Sequence, residues 1–144
     1  MQISQRGIAL LKQCEGFSAT EYICPAGKRT IGYGHVITAS EHYVAMDEAQ
    51  AEALLIRDTG TAQQAVSDYV QIDLTQNQFD ALVVFIYNIG VSAFARSTLL
   101  KNLNANDLKA ALTQWQRWIY AAGKPSDGLK SRRQAEMTLF QEND

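Results

Sequence analysis

The chain has 144 residues, a formal net charge of −2, 47% apolar residues and 19% charged residues. This composition predicts a globular protein with a substantial buried core, and it lacks the basic footprint that nucleic-acid-binding proteins carry. The longest segment without a charged residue, 81–95, is shorter than the about 20 apolar residues that a membrane-spanning helix needs. We therefore expect no stable membrane insertion, and the N-terminal residues have no signal-peptide pattern.

The first predicted element is a helix that begins after Ser4, a suitable N-cap, and ends at Gly16. Helical periodicity then disappears, and β-branched and aromatic residues alternate with glycines from Phe17 to Ile37. This pattern predicts short strands joined by turns, and we expect it to be the only β region of the chain.

The remainder of the chain is predicted to be helical. Two capping boxes, Asp47 with Gln50 and Thr75 with Gln78, begin a long helix continuing past residue 60 and a very apolar helix ending at Gly90. Further helices are expected over 97–103, 106–120 and 129–140. The predicted fold class is α+β and mostly helical, in one domain with a β-containing lobe over about residues 15–58. Residues from about 59 to 144 are expected to form the helical lobe, with helix 4–14 packing on it.

Three polar side chains on the N-terminal segment have the chemistry of a hydrolytic site. Glu15 lies at the negative end of the first helix, where the dipole and an apolar environment both favour proton retention, as a general acid requires. Thr30 carries a hydroxyl that can donate to and accept from a water molecule. Cys24 lies between them in sequence, and the nearby carboxylate should leave it mostly a neutral thiol.

Cys24 permits two other interpretations. A thiol-dependent peptidase would need His35 to reach Cys24, which a hairpin permits. Cys14 and Cys24 could also form a disulfide bond, in which case reduction should restore activity. The spacing of the cysteines does not match a metal site, and we expect no metal and no cofactor.

Taken together, several segments resemble those of bacteriophage-type lysozymes of glycoside hydrolase family 24, which includes T-even phage lysozyme and many prophage endolysins. The resemblance covers nearly the whole chain. It depends on Glu15-Gly16-Phe17, residues 30–35, residues 78–82 with 87–90, Phe94 with residues 97–100, and Gly128-Leu129 with Arg132-Arg133 and Glu136. It implies a lysozyme-like fold with two lobes.

The resemblance also implies the reaction and the residue roles. Glu15 would protonate the β-1,4 glycosidic oxygen between N-acetylmuramic acid and N-acetylglucosamine, with Thr30 and Cys24 assisting the water. Cysteine replaces the aspartate that is usual at position 24, and we expect an inverting reaction rather than direct attack by Cys24. Structural support is expected from His35, Asp58 and Arg132, and substrate binding from Gly32, Tyr87, Asn88 and Ser97.

The implied partner is the peptidoglycan polysaccharide, with no nucleic acid. The enzyme would be a monomer made in the host cytoplasm, and it would reach the wall in the periplasm after a holin permeabilises the membrane. The competing hypothesis is a non-catalytic cell-wall binding module that keeps the hairpin only to hold a saccharide.

Overall fold

The computed structural model describes residues 1–143, which form eight α-helices and five short β-strands. The helices are α1 (Gln5–Glu15), α2 (Glu48–Asp58), α3 (Gly60–Tyr69), α4 (Gln76–Ile89), α5 (Val91–Ala95), α6 (Thr98–Asn104), α7 (Leu108–Trp115) and α8 (Asp127–Gln141). The strands are β1 (Ser18–Ile23), β2 (Arg29–Gly32), β3 (His35–Val36), β4 (Tyr120–Ala121) and β5 (Lys124–Pro125). The mostly helical α+β class is confirmed.

The chain divides into two compact units, one of residues 8–60 and one of residues 1–7 with 61–144. Helix α1 is therefore shared, with its first residues in the helical unit and Ile8–Glu15 in the β-containing unit. The β-containing unit holds the antiparallel sheet β1-β2-β3, against which α2 packs. Its core is formed by buried apolar side chains, including Ile8, Leu11, Ile31, Tyr33, Ile37, Ala51 and Leu55.

The helical unit is built around α4. Thr75 caps this helix by accepting from the Gln78 backbone, the Gln78 side chain completes the capping box, and Gly90 ends the helix, as predicted. Residues 81–86 are all buried, and α8 is the helix with which α4 makes its most extensive contact. Phe85 packs against Trp115 in a tilted arrangement, with ring centroids 5.0 Å apart. Each fully buried large apolar side chain contributes about 1.5–3 kcal/mol to folding, so α4 is the main stabilising element here.

The predicted long helix past residue 60 is wrong, because α2 ends at Asp58 and α3 begins at Gly60. The Thr59 hydroxyl donates to the Ile56 carbonyl at 2.7 Å, and its N–H is shared among three preceding carbonyls. A threonine that hydrogen-bonds back to its own helix competes with the helical ladder, and the following glycine weakens it further.

Two other predictions are corrected in the C-terminal half. The helix predicted over 106–120 covers only Leu108–Trp115, and Tyr120–Ala121 instead pairs with Lys124–Pro125 in a second β-hairpin. The first β region is therefore not the only one. Ala122 and Gly123 have φ values of 50° and 80°, which is the left-handed geometry that a two-residue hairpin turn requires.

None of the helices in residues 1–143 has the length and hydrophobicity that crossing a lipid bilayer requires.

Candidate active site

Glu15 is the last residue of α1, and the backbone around it fixes where its carboxylate points. Gly16 has φ +69° and its N–H donates to the Lys12 carbonyl at 2.9 Å, which closes the helix immediately after Glu15. The carboxylate lies against the turn between β2 and β3, since a methyl group at Gly34 would be 2.9 Å from Glu15 Oε2. The chain can pass this close to the acid only because residue 34 has no side chain.

Cys24 and Thr30 are brought together by the tight turn that joins β1 to β2. The Cys24 N–H donates to the Lys28 carbonyl at 2.9 Å, and the Gly27 N–H donates to the Cys24 carbonyl at 2.8 Å. Thr30 is the second residue of β2, pairs with Tyr22 of β1, and is 2% exposed. Its hydroxyl donates to the Lys28 carbonyl at 2.9 Å. Half-buried Cys24 and buried Thr30 therefore share the Lys28 peptide as an anchor.

The same turn changes the acidity of the thiol. Hydrogen bonding from the Lys28 backbone, followed by a hydrogen bond from the Thr30 hydroxyl, lowers the pKa of Cys24 from its ordinary value. The nearby carboxylate alone predicts a mostly neutral thiol. Donors from the turn act in the opposite direction, because they stabilise the thiolate.

Thr30 has only one hydroxyl proton to share. When Cys24 is a neutral thiol, the Thr30 hydroxyl donates this proton to the Lys28 carbonyl in a hydrogen bond. When Cys24 is a thiolate, its sulfur is the other acceptor for the same hydroxyl. In both cases the Thr30 oxygen keeps lone pairs with which it can accept a hydrogen bond from water. Thr30 can therefore position a water molecule by accepting a hydrogen bond from it.

His35 is held between two carboxylates. Its Nδ1 lies 2.6 Å from Asp58 Oδ2, and its Nε2 lies 3.0 Å from both carboxylate oxygens of Glu41. The Tyr43 hydroxyl and the Thr38 N–H also donate to Glu41, at 2.7 and 2.9 Å. These two donors and His35 hold the pKa of Glu41 well below its usual range.

This arrangement bears on the peptidase hypothesis. Both ring nitrogens of His35 are engaged by carboxylates, so neither is directed at Cys24. Cys24 and Cys14 are not joined by a disulfide bond here, and both are half-buried. A thiol-dependent reaction would need a base for Cys24, and His35 instead contacts Asp58 at the end of α2. The structural role predicted for His35 stays a prediction.

A second polar cluster lies in the helical unit, at the inner face of α8. Glu136 is fully buried, accepts from Trp115 Nε1 at 3.1 Å, and lies 2.8 Å from Arg133 Nε and 3.4 Å from Arg132 Nε. Burial raises the pKa of Glu136, while the charge on Arg133 and the hydrogen bond from Trp115 oppose that rise. Arg132 thus contacts Glu136, and its predicted support of Glu15 stays a prediction.

The predicted substrate-binding residues have different surroundings. Gly32 is buried, and a methyl group there would lie 3.0 Å from Met46 Sδ. Ser97 is buried and caps α6, donating to the Phe94 carbonyl and accepting from the Leu100 N–H. Tyr87 is half-buried on α4. Asn88, on the same helix, is exposed, and its side-chain oxygen accepts from Arg133 at 2.6 Å. Their contact with substrate stays a prediction.

The structure also adds residues that the sequence analysis did not select. Glu41 and Tyr43 follow His35 in an irregular loop, where no periodic pattern singles out a partner for the imidazole. Trp115 joins Glu136 across 21 positions in sequence, and Arg133 joins Asn88 across 45. Buried arginine and glutamate are rare unless paired, so the close spacing of Arg132, Arg133 and Glu136 in one helix is the available signal.

Comparison with known proteins identifies the family of this chain. Residues 12–136 match the family model described as phage lysozyme. The chain is 41% identical to an endolysin of Acyrthosiphon pisum secondary endosymbiont phage 1, covering 98% of this chain and 99% of that protein. It is 40% identical to the endolysin of Salmonella phage P22, covering 97% and 98%. The solved muramidase domain of SpmX from Asticaccaulis excentricus is 34% identical with a TM-score of 0.89, and the match covers 99% of each chain.

An α+β fold of this type, with an acid at the end of the first helix and a polar hairpin facing it, defines a lysozyme-type glycoside hydrolase. The chain belongs to the phage lysozyme family, and the endolysin function predicted from its motifs is confirmed.

Proposed function

We propose that this enzyme cleaves the β-1,4 bond between N-acetylmuramic acid and N-acetylglucosamine in peptidoglycan, with Glu15 as the general acid. The observation that carries the assignment is the close approach of the chain at Gly34 to the Glu15 carboxylate, at 2.9 Å from a methyl group placed there. An acid that must deliver a proton to a leaving oxygen needs a fixed position. Gly16 behind Glu15 and Gly34 beside it provide that constraint.

Thr30 and Cys24 position and activate the attacking water in this proposal. The Thr30 oxygen accepts a hydrogen bond from the water and so holds it in place. The Cys24 thiolate, which the hydrogen-bond donors of the turn favour, takes the proton that the water loses. The water oxygen forms a bond to the anomeric carbon as the glycosidic bond breaks, and Glu15 protonates the leaving oxygen. Attack by water from the face opposite the leaving group inverts the anomeric configuration.

The supporting residues act through the hairpin. The hydrogen-bond contacts of His35 with Asp58 and Glu41 join β3, the following loop and α2. Because Ile31 pairs with His35 and Thr30 with Val36 in the sheet register, fixing β3 also fixes β2, which carries Thr30. We assign His35 and Asp58 to positioning and not to proton transfer.

The relatives support action in the periplasm, and the other parts of the cellular setting are our proposal. The relatives include proteins named SAR-endolysin, such as that of enterobacteria phage P21, which is 35% identical over 128 residues. We propose that the present enzyme acts on the wall in the periplasm as a monomer, is made in the host cytoplasm, and gains access when a holin permeabilises the inner membrane. Lysis by the purified protein should therefore require permeabilised cells.

Purified peptidoglycan tests the reaction class. The proposal predicts new reducing ends and no new free amino groups, with a first-formed product whose anomeric configuration, followed by proton NMR, is opposite to that of the β-linked substrate. Release of amino groups would indicate a peptidase, binding without cleavage would indicate a wall-binding module, and retention of configuration would indicate attack by Cys24.

A further inference from the structure

Tyr33 forms part of the turn between β2 and β3, immediately before the Gly34 backbone that the Glu15 carboxylate lies against. Tyr33 is buried, and its ring is contacted by the chain on both sides of the acid. The Phe17 ring follows Glu15 in sequence, and its centroid is 5.4 Å from that of Tyr33. Lys12 precedes Glu15, and its Nζ is 5.5 Å from the same centroid, within the range of a cation–π attraction. The segments that flank the acid therefore both contact the turn that faces it.

Lys12 lies one helical turn before Glu15 on α1, and its ammonium also contacts a second helix. Lys12 Nζ is 2.9 Å from Glu52 Oε1 on α2. The hydrogen bond with Glu52 raises the pKa of Lys12 from its ordinary value, so the side chain is a cation throughout the neutral pH range. Both side chains are about one-third exposed, and an ion pair this accessible to water contributes little to stability. Its main effect is to restrict the ammonium to one place, beside the Tyr33 ring.

We propose that Lys12 is a positioning residue for the general acid. Its ammonium joins the last turn of α1, helix α2 and the turn between β2 and β3. The steric contact between Gly34 and Glu15 sets how closely this turn can approach the acid, and the attraction between Lys12 and the Tyr33 ring keeps the turn from moving away. This inference rests on the proposed function, to which it adds a residue that acts through Tyr33 and not on the substrate.

Three substitutions separate this role from a general effect of charge or helix stability. Lys12→Met keeps an unbranched apolar stem and removes the ammonium, whereas Lys12→Arg keeps a cation that can pair with Glu52 and stack on Tyr33. Arg6→Met is the matched control, because Arg6 is on the same helix and pairs with Glu142 in the other compact unit. Both methionine variants remove one cation and one ion pair from α1, so a nonspecific effect would appear in both.

The assay measures initial rates of reducing-end release from soluble, uncrosslinked peptidoglycan strands, over a range of substrate concentration and pH, at a temperature where every variant is folded by circular dichroism. We expect Lys12→Met to lower kcat by about three- to tenfold, because a displacement of the acid smaller than about 1 Å costs less than a factor of about 100. KM and the shape of the pH profile should be retained, since Lys12 acts on the position of the turn. Lys12→Arg should recover most of the lost kcat, and Arg6→Met should match the wild type.

Glu52→Gln provides a second route to the same site, which does not depend on the folding of Lys12→Met. It should lower kcat less than Lys12→Met does, and the double variant should be no slower than Lys12→Met alone, because Glu52 acts through Lys12. Additive losses would overturn the inference. So would a wild-type kcat in Lys12→Met, an equal loss in Lys12→Arg, or a pH profile whose limbs move when the ammonium is removed. Failure of the proposed function would appear separately, as no release of reducing ends by the wild-type protein.

Discussion

Replacing Gly34 with alanine should displace the catalytic acid without removing it. The added methyl group would lie 2.9 Å from Glu15 Oε2 and 3.6 Å from its Cδ. To reach an ordinary contact of 3.4 Å, the carboxylate has to retreat by about 0.5 Å. Misplacement of a reacting group by about 1 Å can cost a factor of about 100 in rate, so roughly half that displacement predicts about a tenfold loss.

The substitution also strains the backbone, because Gly34 has φ +78°. A left-handed conformation costs an L-residue about 1–2 kcal/mol, so the free energy of unfolding should fall by about that amount. Gly123→Ala is the matched control, since Gly123 has φ +80° and nothing lies within 4 Å of an added methyl group. Both variants should lose similar stability in urea unfolding, but only Gly34→Ala should lose activity.

The assay is the initial rate of reducing-end release from purified peptidoglycan, at a temperature where both variants are fully folded by circular dichroism. We expect Gly123→Ala to match the wild type and Gly34→Ala to be about tenfold slower, as the displacement of the acid predicts. Equal rates for the two variants would refute the argument that the Gly34 backbone sets the position of the acid.

Three further predictions concern stability and the thiol. Gly7→Ala places a methyl group 2.7 Å from Ile3 Cγ1, so urea unfolding should show a loss of about 1–3 kcal/mol. Nothing lies within 4 Å of a methyl group added at Gly60, so Gly60→Ala should instead raise the free energy of unfolding by about 0.4–1 kcal/mol. A stability change of the same sign in both variants would contradict this reasoning. The pKa of Glu41 is depressed in the folded state, so ionised Glu41 stabilises the fold at pH values above its unfolded-state pKa of about 4.3. This stabilisation declines as the pH falls below that value. The loss of melting temperature in Glu41→Gln should therefore be largest near neutral pH and shrink toward pH 3, and a pH-independent loss would show that ionisation is irrelevant. In a Cys14→Ser background, Thr30→Val removes a donor to Cys24, so the pH profile of Cys24 alkylation by iodoacetamide should move to higher pH. An unmoved profile would exclude Thr30 as a partner of the thiol.

Local signals were sufficient for the elements that the site depends on. Ser4 and Gly16 bracket α1, so the position of Glu15 at a helix end follows from capping chemistry. Alternating apolar residues and glycines predict the hairpin that carries Cys24 and Thr30, which the structure shows as β1 and β2.

Features that depend on contacts distant in sequence could not be predicted in the same way. Nothing local indicates that Glu41 shares His35 with Asp58, or that Arg133 reaches Asn88. The lowered pKa of Cys24 arises from backbone donors of the turn, and these have no signature in residue types. The break at Thr59 reflects competition between a side-chain hydroxyl and the helix, which periodicity does not register.

The most direct test of the account is the activity of Glu15→Gln, an isosteric change that keeps the side chain but removes its transferable proton. With purified peptidoglycan as substrate, the rate of reducing-end release should fall by a factor of about 100 to 10,000, the usual contribution of a general acid. The melting temperature and polysaccharide binding should be retained. A folded Glu15→Gln protein that releases reducing ends at a rate close to the wild type would contradict the assignment of Glu15 as the proton donor.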